Sequence, residues 1–190
     1  FISKNNGFYV DIGAHHPQRF SNTYIFYLEG WKGINVDATP NSMIIFNTIR
    51  PRDINIEIGI SKNAENLFFY QFNESAINTF SEELANTYIN RGEKLIKKHL
   101  TKTITLEELF DNYLPQNQNV DILTIDAEGL DIDILKSNNW EKYCPDFIVL
   151  ELWISSVDSI VSEEIYKFLT SKKYILVAKT LCSIFFKKLD

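Results

Sequence analysis

Four short apolar segments of this chain end at or beside an acidic residue. The acids are Asp11, Asp37, Asp126 and Glu151. The segments are rich in β-branched and aromatic residues, which favour buried strands. Predicted helices at 21–29 and 39–49 separate the first strands, and strands that alternate with helices form parallel sheets. Because the carboxyl ends of parallel strands share one edge, we expect the four carboxylates to converge there.

The whole chain predicts an α/β fold with a doubly wound, mostly parallel sheet. Core strands are expected at 8–12, 33–36, 54–60, 120–125 and 146–150. Further helices are expected at 81–99, 106–113, 130–135 and 162–171. Residues 67–72 predict an added strand or hairpin, and 174–178 with 182–186 predict a C-terminal antiparallel hairpin. No repeat or linker interrupts the pattern, so residues 1–190 are expected to form a single domain.

Composition narrows the classes of partner. A net charge of −6 and a pI near 5.1 argue against nucleic acid, because phosphate binding needs a basic face. The lysines at 94, 97, 98 and 102 could meet an acidic substrate or a lipid head group, but a solvated face is the favoured interpretation. The longest apolar stretch, 147–154, contains Glu151 and is too short to span a bilayer.

The two cysteines bear on the cellular compartment of the protein, and the first residue bears on where the chain begins. Cys144 and Cys182 provide neither a disulfide framework nor metal-ligand spacing, and reduced thiols in a cytoplasmic protein are the simpler interpretation. No signal peptide is visible. The chain begins at Phe1 rather than methionine, which is consistent with the loss of an N-terminal element.

The converging acids restrict the charge and the hydrogen-bonding groups that a ligand of this site can carry. Like charges that are buried together raise one another's pKa values or require a cation, so the ligand should be cationic, rich in hydroxyl donors, or both. A dinucleotide is disfavoured, because the turn after the first strand has only Gly13 before Ala14, His15, His16 and Pro17. S-adenosylmethionine fits better, since it carries a sulfonium, an ammonium group and ribose hydroxyls.

Asp37 follows the second strand, 26 residues after Asp11, where an acid can accept hydrogen bonds from ribose hydroxyls. Its alternative role is to cap the helix that follows, since Thr39-Pro40 is a typical helix start.

Three segments resemble the signature blocks of the FkbM-type S-adenosylmethionine-dependent methyltransferases. They are Val10–Ala14, Asn35–Pro40 and Thr124–Gly129, within a likeness that runs from Phe8 to Trp153. The resemblance implies a seven-stranded sheet, S-adenosylmethionine as cofactor, and O-methylation of a hydroxyl on a sugar, glycan or natural product. The expected cofactor-binding residues are Asp11, Gly13, Ala14, Asp37, Ala38, Ser61 and Asp126. His15 stands where the family usually has Asn, and Asp37 where it often has Glu.

Methyl transfer to a hydroxyl needs a group that removes the hydroxyl proton. The candidates are Asp126, Glu128, Glu151 and His15, and the neighbouring His16 could also provide a base. Either histidine could instead hydrogen-bond the turn, and Glu128 could instead cap the helix that starts at Gly129. If a divalent metal binds, its ligands would be Asp126, Glu128 and Glu151. We favour a metal-free site, because the sequence shows no complete ligand set with fixed spacing.

Two other functional classes compete with this assignment. A methyltransferase-like binding or assembly domain without activity is the main alternative, although the joint presence of Asp11, Gly13, Asp37 and Asp126 favours a working cofactor site. An α/β hydrolase is disfavoured, because the chain has no Gly-x-Ser-x-Gly motif.

Overall fold

The computed structural model describes residues 4–152 and 157–189, so Trp153, where the resemblance ends, lies outside it. The strands are β1 (Phe8–Ile12), β2 (Lys32–Asp37), β3 (Ile54–Glu57), β4 (Gly59–Ile60), β5 (Asn66–Phe72), β6 (Leu95–Ile104), β7 (Ile122–Ile125), β8 (Phe147–Glu151), β9 (Tyr174–Lys179) and β10 (Ser183–Lys188). The α-helices are α1 (Tyr24–Leu28), α2 (Ser42–Ile49), α3 (Glu82–Asn90), α4 (Leu106–Tyr113), α5 (Asp131–Lys136), α6 (Val157–Ile160) and α7 (Glu164–Ser171). A 3₁₀ turn spans Ser75–Ile77.

Seven strands form the main sheet in the order β3-β2-β1-β7-β8-β10-β9. The first five in this order are parallel, and β10 runs antiparallel to both β8 and β9. The predicted mostly parallel seven-stranded sheet with an antiparallel C-terminal hairpin is therefore confirmed.

The central strands β1 and β7 are buried on both faces of the sheet, as parallel strands usually are. All five residues of β1 are buried, and successive side chains alternate between the two faces. Phe8, Val10 and Ile12 pack into the largest apolar cluster, whereas Tyr9 packs with Trp31 on the other side. Asp11 shares the Tyr9 face by this alternation, so a carboxylate lies inside the layer between the sheet and α1.

A second, three-stranded sheet in the order β4-β6-β5 corrects two predictions. The helix expected over 81–99 ends at Asn90, because Gly92 has φ +93° and the chain then turns into β6. Seven residue pairs join β6 to β5 in antiparallel register. Lys97, Lys98 and His99 therefore lie on a strand and not in the last turn of a helix. The strand expected over 54–60 is split between the two sheets as β3 and β4.

Two helices are shorter than the sequence indicates. Helix α1 begins at Tyr24, because Ser21 accepts hydrogen bonds from the backbone N–H groups of Thr23 and Tyr24 in the preceding turn. Helix α2 begins at Ser42, and its N-cap is Asn41 rather than Thr39. Among the described helices, none combines the length and the apolar character that crossing a bilayer would require.

Candidate active site

A cavity of about 640 Å³ lies at the carboxyl ends of β1, β2, β7 and β8. The sequence prediction that the acids converge at one edge is confirmed. The carboxylates among the described residues that line the cavity belong to Asp11, Asp37, Asp126, Glu128, Asp131 and Glu151. No lysine or arginine is among these lining residues. The cavity is therefore suited to a cationic or hydroxyl-rich ligand, because nothing in its described lining would compensate an anionic one.

The turn after β1 packs against two neighbouring strands. The N–H groups of Gly13 and Ala14 both donate to the carbonyl of Val36 at the end of β2, at 2.9 and 3.0 Å. Gly13 has φ +76°, and a Cβ at this position would lie 1.9 Å from the carbonyl oxygen of Asp126. Glycine is thus required by close contact between the two backbones, which brings the end of β1 against the residue that follows β7.

Asp37 holds this turn through backbone hydrogen bonds. Its Oδ2 accepts from the N–H of His15 at 2.8 Å, and its Oδ1 accepts from the N–H of Thr39 at 2.7 Å. The residue lines the cavity beside Ala38. Asp37 therefore braces the loop before α2 and does not occupy the N-cap position of that helix.

Asp11 is fully buried and belongs to a polar network that the sequence analysis did not identify. The hydroxyl of Thr23 donates to Asp11 Oδ2 at 2.5 Å, and Nη1 of Arg50 donates to the same hydroxyl oxygen at 2.8 Å. Arg50 is also fully buried and donates through Nε to the carbonyl of Pro17 at 2.8 Å. Burial raises the pKa of Asp11 to about 6. Asp11 thus anchors the loop that frames one side of the cavity.

Asp126, Glu128 and Glu151 form a compact cluster at the ends of β7 and β8. One carboxylate oxygen from each lies within 4.8 Å of the others. Burial, the charge of Glu151 and a hydrogen bond to its carboxyl group raise the pKa of Asp126 far above the ordinary range. Asp126 therefore keeps its proton to a higher pH than an ordinary aspartic acid and can donate it in a hydrogen bond to the carboxyl group of Glu151.

Glu128 is held by residues from outside the main sheet. The phenol of Tyr88 on α3 donates to Glu128 Oε2 at 2.6 Å, and the hydroxyl of Thr79 donates to the Glu128 carbonyl at 2.8 Å. At the start of α5, Oδ1 of Asp131 accepts a hydrogen bond from the N–H of Ala127 at 3.2 Å. The alternative in which Glu128 caps this helix is therefore wrong.

The two histidines of the turn differ in environment. Nδ1 of His16 accepts from the N–H groups of Gln18 and Arg19 at 3.1 and 3.0 Å, so His16 stabilises the turn, as the alternative interpretation held. His15 lines the cavity and stacks on Phe20 with ring centroids 6.4 Å apart. Burial lowers the pKa of His15, and its Nε2 is buried without a partner among the described residues. A neutral imidazole in this position can receive a polar group of a ligand.

Ser61 does not belong to the described lining of the cavity. Its hydroxyl lies 2.7 Å from both the carbonyl of Asn63 and the hydroxyl of Thr103, so its side chain links β4 to β6. The preceding residues Gly59 and Ile60 do line the cavity. The structure thus places Asp11, Gly13, Ala14, His15, Asp37, Ala38, Asp126, Glu128 and Glu151 together and leaves Ser61 outside.

The family described as methyltransferase FkbM domain matches residues 11–176. This match covers most of the 190 residues. The chain belongs to the FkbM methyltransferase domain family. A search among curated proteins returned no matching relative. The resemblance seen in the three sequence blocks is thereby confirmed, and the acid-lined cavity lies in the part of the fold that those blocks build.

Proposed function

We propose that this FkbM-family domain is an S-adenosylmethionine-dependent O-methyltransferase, acting as a single domain on a hydroxyl of a sugar, glycan or natural product. The acidic lining of the cavity, with no lysine or arginine among its described residues, carries this proposal. Carboxylates accept hydrogen bonds from hydroxyl groups and attract cations. The same lining opposes acceptors that carry phosphate or carboxylate groups.

The residues present fit the cofactor. The cavity volume of about 640 Å³ lies in the usual range for small-molecule sites, roughly 300–1,000 Å³. Each oxygen of Asp37 accepts one backbone N–H, and a carboxylate has about four acceptor positions, so both ribose hydroxyls can still bind. We assign the remaining contacts to Asp11, Gly13, Ala14, Ala38 and Asp126, and polar support to His15 Nε2.

When bound, the cofactor would supply a methyl carbon that the acceptor oxygen takes as the sulfur–carbon bond breaks. This chain must orient the acceptor hydroxyl and receive its proton. Glu128 is the base that we favour, because Asp126 keeps its proton to an unusually high pH and hydrogen-bonds to Glu151. That pair would hold the acceptor by its hydroxyl groups. His15, which burial keeps neutral near pH 7, is the other candidate base.

Calorimetry with S-adenosylhomocysteine tests the cofactor site. A hydrogen bond to a charged group contributes about 1.5–3 kcal/mol, so Asp37→Ala should weaken binding by about one to two orders of magnitude. Glu57→Ala is the matched control, because Glu57 pairs with Asp37 across β2 and β3 but does not line the cavity. Circular dichroism should show that both variants are folded. Absence of binding to the wild-type domain at millimolar ligand would contradict the proposal.

Mass spectrometry with isotope-labelled cofactor tests the reaction. The domain is incubated with a cell extract of glycans and metabolites, and the labelled products are identified. We expect the label on a hydroxyl oxygen of a neutral or cationic acceptor. Cofactor binding without any labelled product would instead support the inactive binding domain.

A further inference from the structure

Glu128 has a backbone conformation that non-glycine residues rarely adopt. Its φ is +46°, in the left-handed region, where a side chain costs roughly 1–3 kcal/mol and persists only when surrounding contacts fix it. Two such contacts are present, the Thr79 hydroxyl on the Glu128 carbonyl and the Tyr88 phenol on its carboxylate. Both donors come from the segment between β5 and β6.

This segment (residues 73–94) spans the 3₁₀ turn and α3 and covers one side of the cavity. Ile77, Phe80, Leu84 and Tyr88 all line it. Thr79 is the firmly held residue of this segment. It is 1% exposed, forms a β-bridge with Tyr70, and its hydroxyl accepts a hydrogen bond from the N–H of Ser81 at 2.8 Å. Thr79, the donor to the Glu128 carbonyl, is therefore itself held in place, as a positioning shell requires.

We propose that Tyr88 and Thr79 are positioning residues that aim Glu128 at the acceptor hydroxyl. This inference rests on the proposed methyl transfer. The phenol of Tyr88 occupies Oε2 of Glu128, which leaves the lone pairs of Oε1 to receive the acceptor proton. The Thr79 hydroxyl fixes the peptide that carries the side chain. The segment between β5 and β6 is thus part of the acceptor-activating machinery and does not merely cover the cavity.

The titration of Glu128 reports on this arrangement. Burial raises the pKa of Glu128, and the nearby Glu151 and Asp131 raise it further, whereas the hydrogen bond from Tyr88 lowers it. Asp126, which follows β7, also belongs to the cluster. Removal of the phenol hydroxyl should therefore leave Glu128 protonated to a higher pH.

The first experiment needs no acceptor. Domain labelled with ¹³C at glutamate carboxyl groups is titrated by NMR, and the Glu128 signal is identified by its loss in Glu128→Gln. In Tyr88→Phe we expect the midpoint of Glu128 to rise by about one pH unit. Tyr143→Phe is the matched control, since Tyr143 also donates to a carboxylate, Asp111 at 2.5 Å, but lies outside the described lining of the cavity. Equal midpoints in the two variants would overturn the proposal.

The second experiment measures transfer of labelled methyl groups into the glycan and metabolite extract. Tyr88→Phe should lower the rate about tenfold, move the acidic limb of the pH profile upward, and leave S-adenosylhomocysteine affinity unchanged. Thr79→Val should lower the rate, and Thr79→Ser, which keeps the hydroxyl, should restore it. If the wild type binds no cofactor, the proposed function fails. If the wild type transfers methyl groups but Tyr88→Phe matches Tyr143→Phe, only the positioning role fails.

Discussion

Substitution of Gly13 by alanine tests how closely the cofactor turn is packed. Two effects act on this variant. An L-residue at a positive φ costs roughly 1–2 kcal/mol, and the φ of Gly13 is +76°. The added methyl group would also lie 1.9 Å from the carbonyl oxygen of Asp126, and overpacking of this kind costs about 1–3 kcal/mol. The expected loss in the free energy of unfolding is therefore about 2–5 kcal/mol.

Gly92→Ala separates the two effects. Gly92 also has a positive φ, +93°, but no atom lies within 4 Å of a Cβ built there. The free energy of unfolding of this variant should fall only by the conformational cost of a positive φ, roughly 1–2 kcal/mol. The difference between the variants then measures the collision alone.

The collision cannot be relieved locally. Gly13 N donates to Val36 O and Asp126 N donates to Ile12 O, so the turn and its neighbour are fixed to adjacent strands. Urea unfolding followed by circular dichroism gives the free energies, and calorimetry should show a fall in Tm of roughly 2–4 °C per kcal/mol for a chain of this size. Equal destabilisation of Gly13→Ala and Gly92→Ala would refute the close packing of β1 on β7.

Two further predictions concern the buried acids. Because burial raises the pKa of Asp11 from 3.8 to about 6, the folded state keeps a proton that the unfolded state has released. The free energy of unfolding should therefore fall as the pH rises from 4 to 6, by up to about 3 kcal/mol from this residue. Asp11→Asn should flatten the dependence in urea titrations, and an unchanged slope would contradict it. Methyl transfer should survive dialysis against EDTA, because the proton that Asp126 keeps already reduces the repulsion between the clustered carboxylates. Loss of activity that Mg²⁺ restores would contradict this prediction.

The main sheet and its acidic edge were accessible from the sequence because both depend on local patterns. Residues 8–12 and 122–125 are short, mostly apolar segments, and the acids within or beside them, Asp11 and Asp126, need only parallel pairing of the strands to converge. The C-terminal hairpin was visible for the same reason. These features require no knowledge of distant contacts.

In the second sheet the added strand expected at 67–72 is confirmed as β5, but β6 was missed because a local signal outweighed a long-range one. Ser81, with acids at 82 and 83, is a strong helix start, and the lysines at 97 and 98 fit a helix end. The strand from Leu95 is specified by pairing with β5, about thirty residues earlier. The glycine at position 92 was the sequence signal that the helix ends before these lysines. In the structure this residue has a positive φ.

The hydrogen-bond partners of the acids could not be predicted from the sequence either. Tyr88 and Glu128 are 40 residues apart, and Arg50 meets Thr23 across 27 residues. A single tyrosine or arginine carries no pattern that marks such a contact. The sequence therefore identified the carboxylates but not the groups that hold them.

These partners explain how so many acids can share one cavity. Asp11 accepts a hydrogen bond from Thr23, Asp37 accepts two from backbone N–H groups, and Asp126 keeps its proton and hydrogen-bonds to Glu151. Each arrangement offsets the desolvation of its carboxyl group. Glu128 differs, because its partner is one phenol from a segment outside the main sheet. The parallel strands thus fix the binding acids, whereas the orientation of the base that we favour depends on how α3 packs over the cavity.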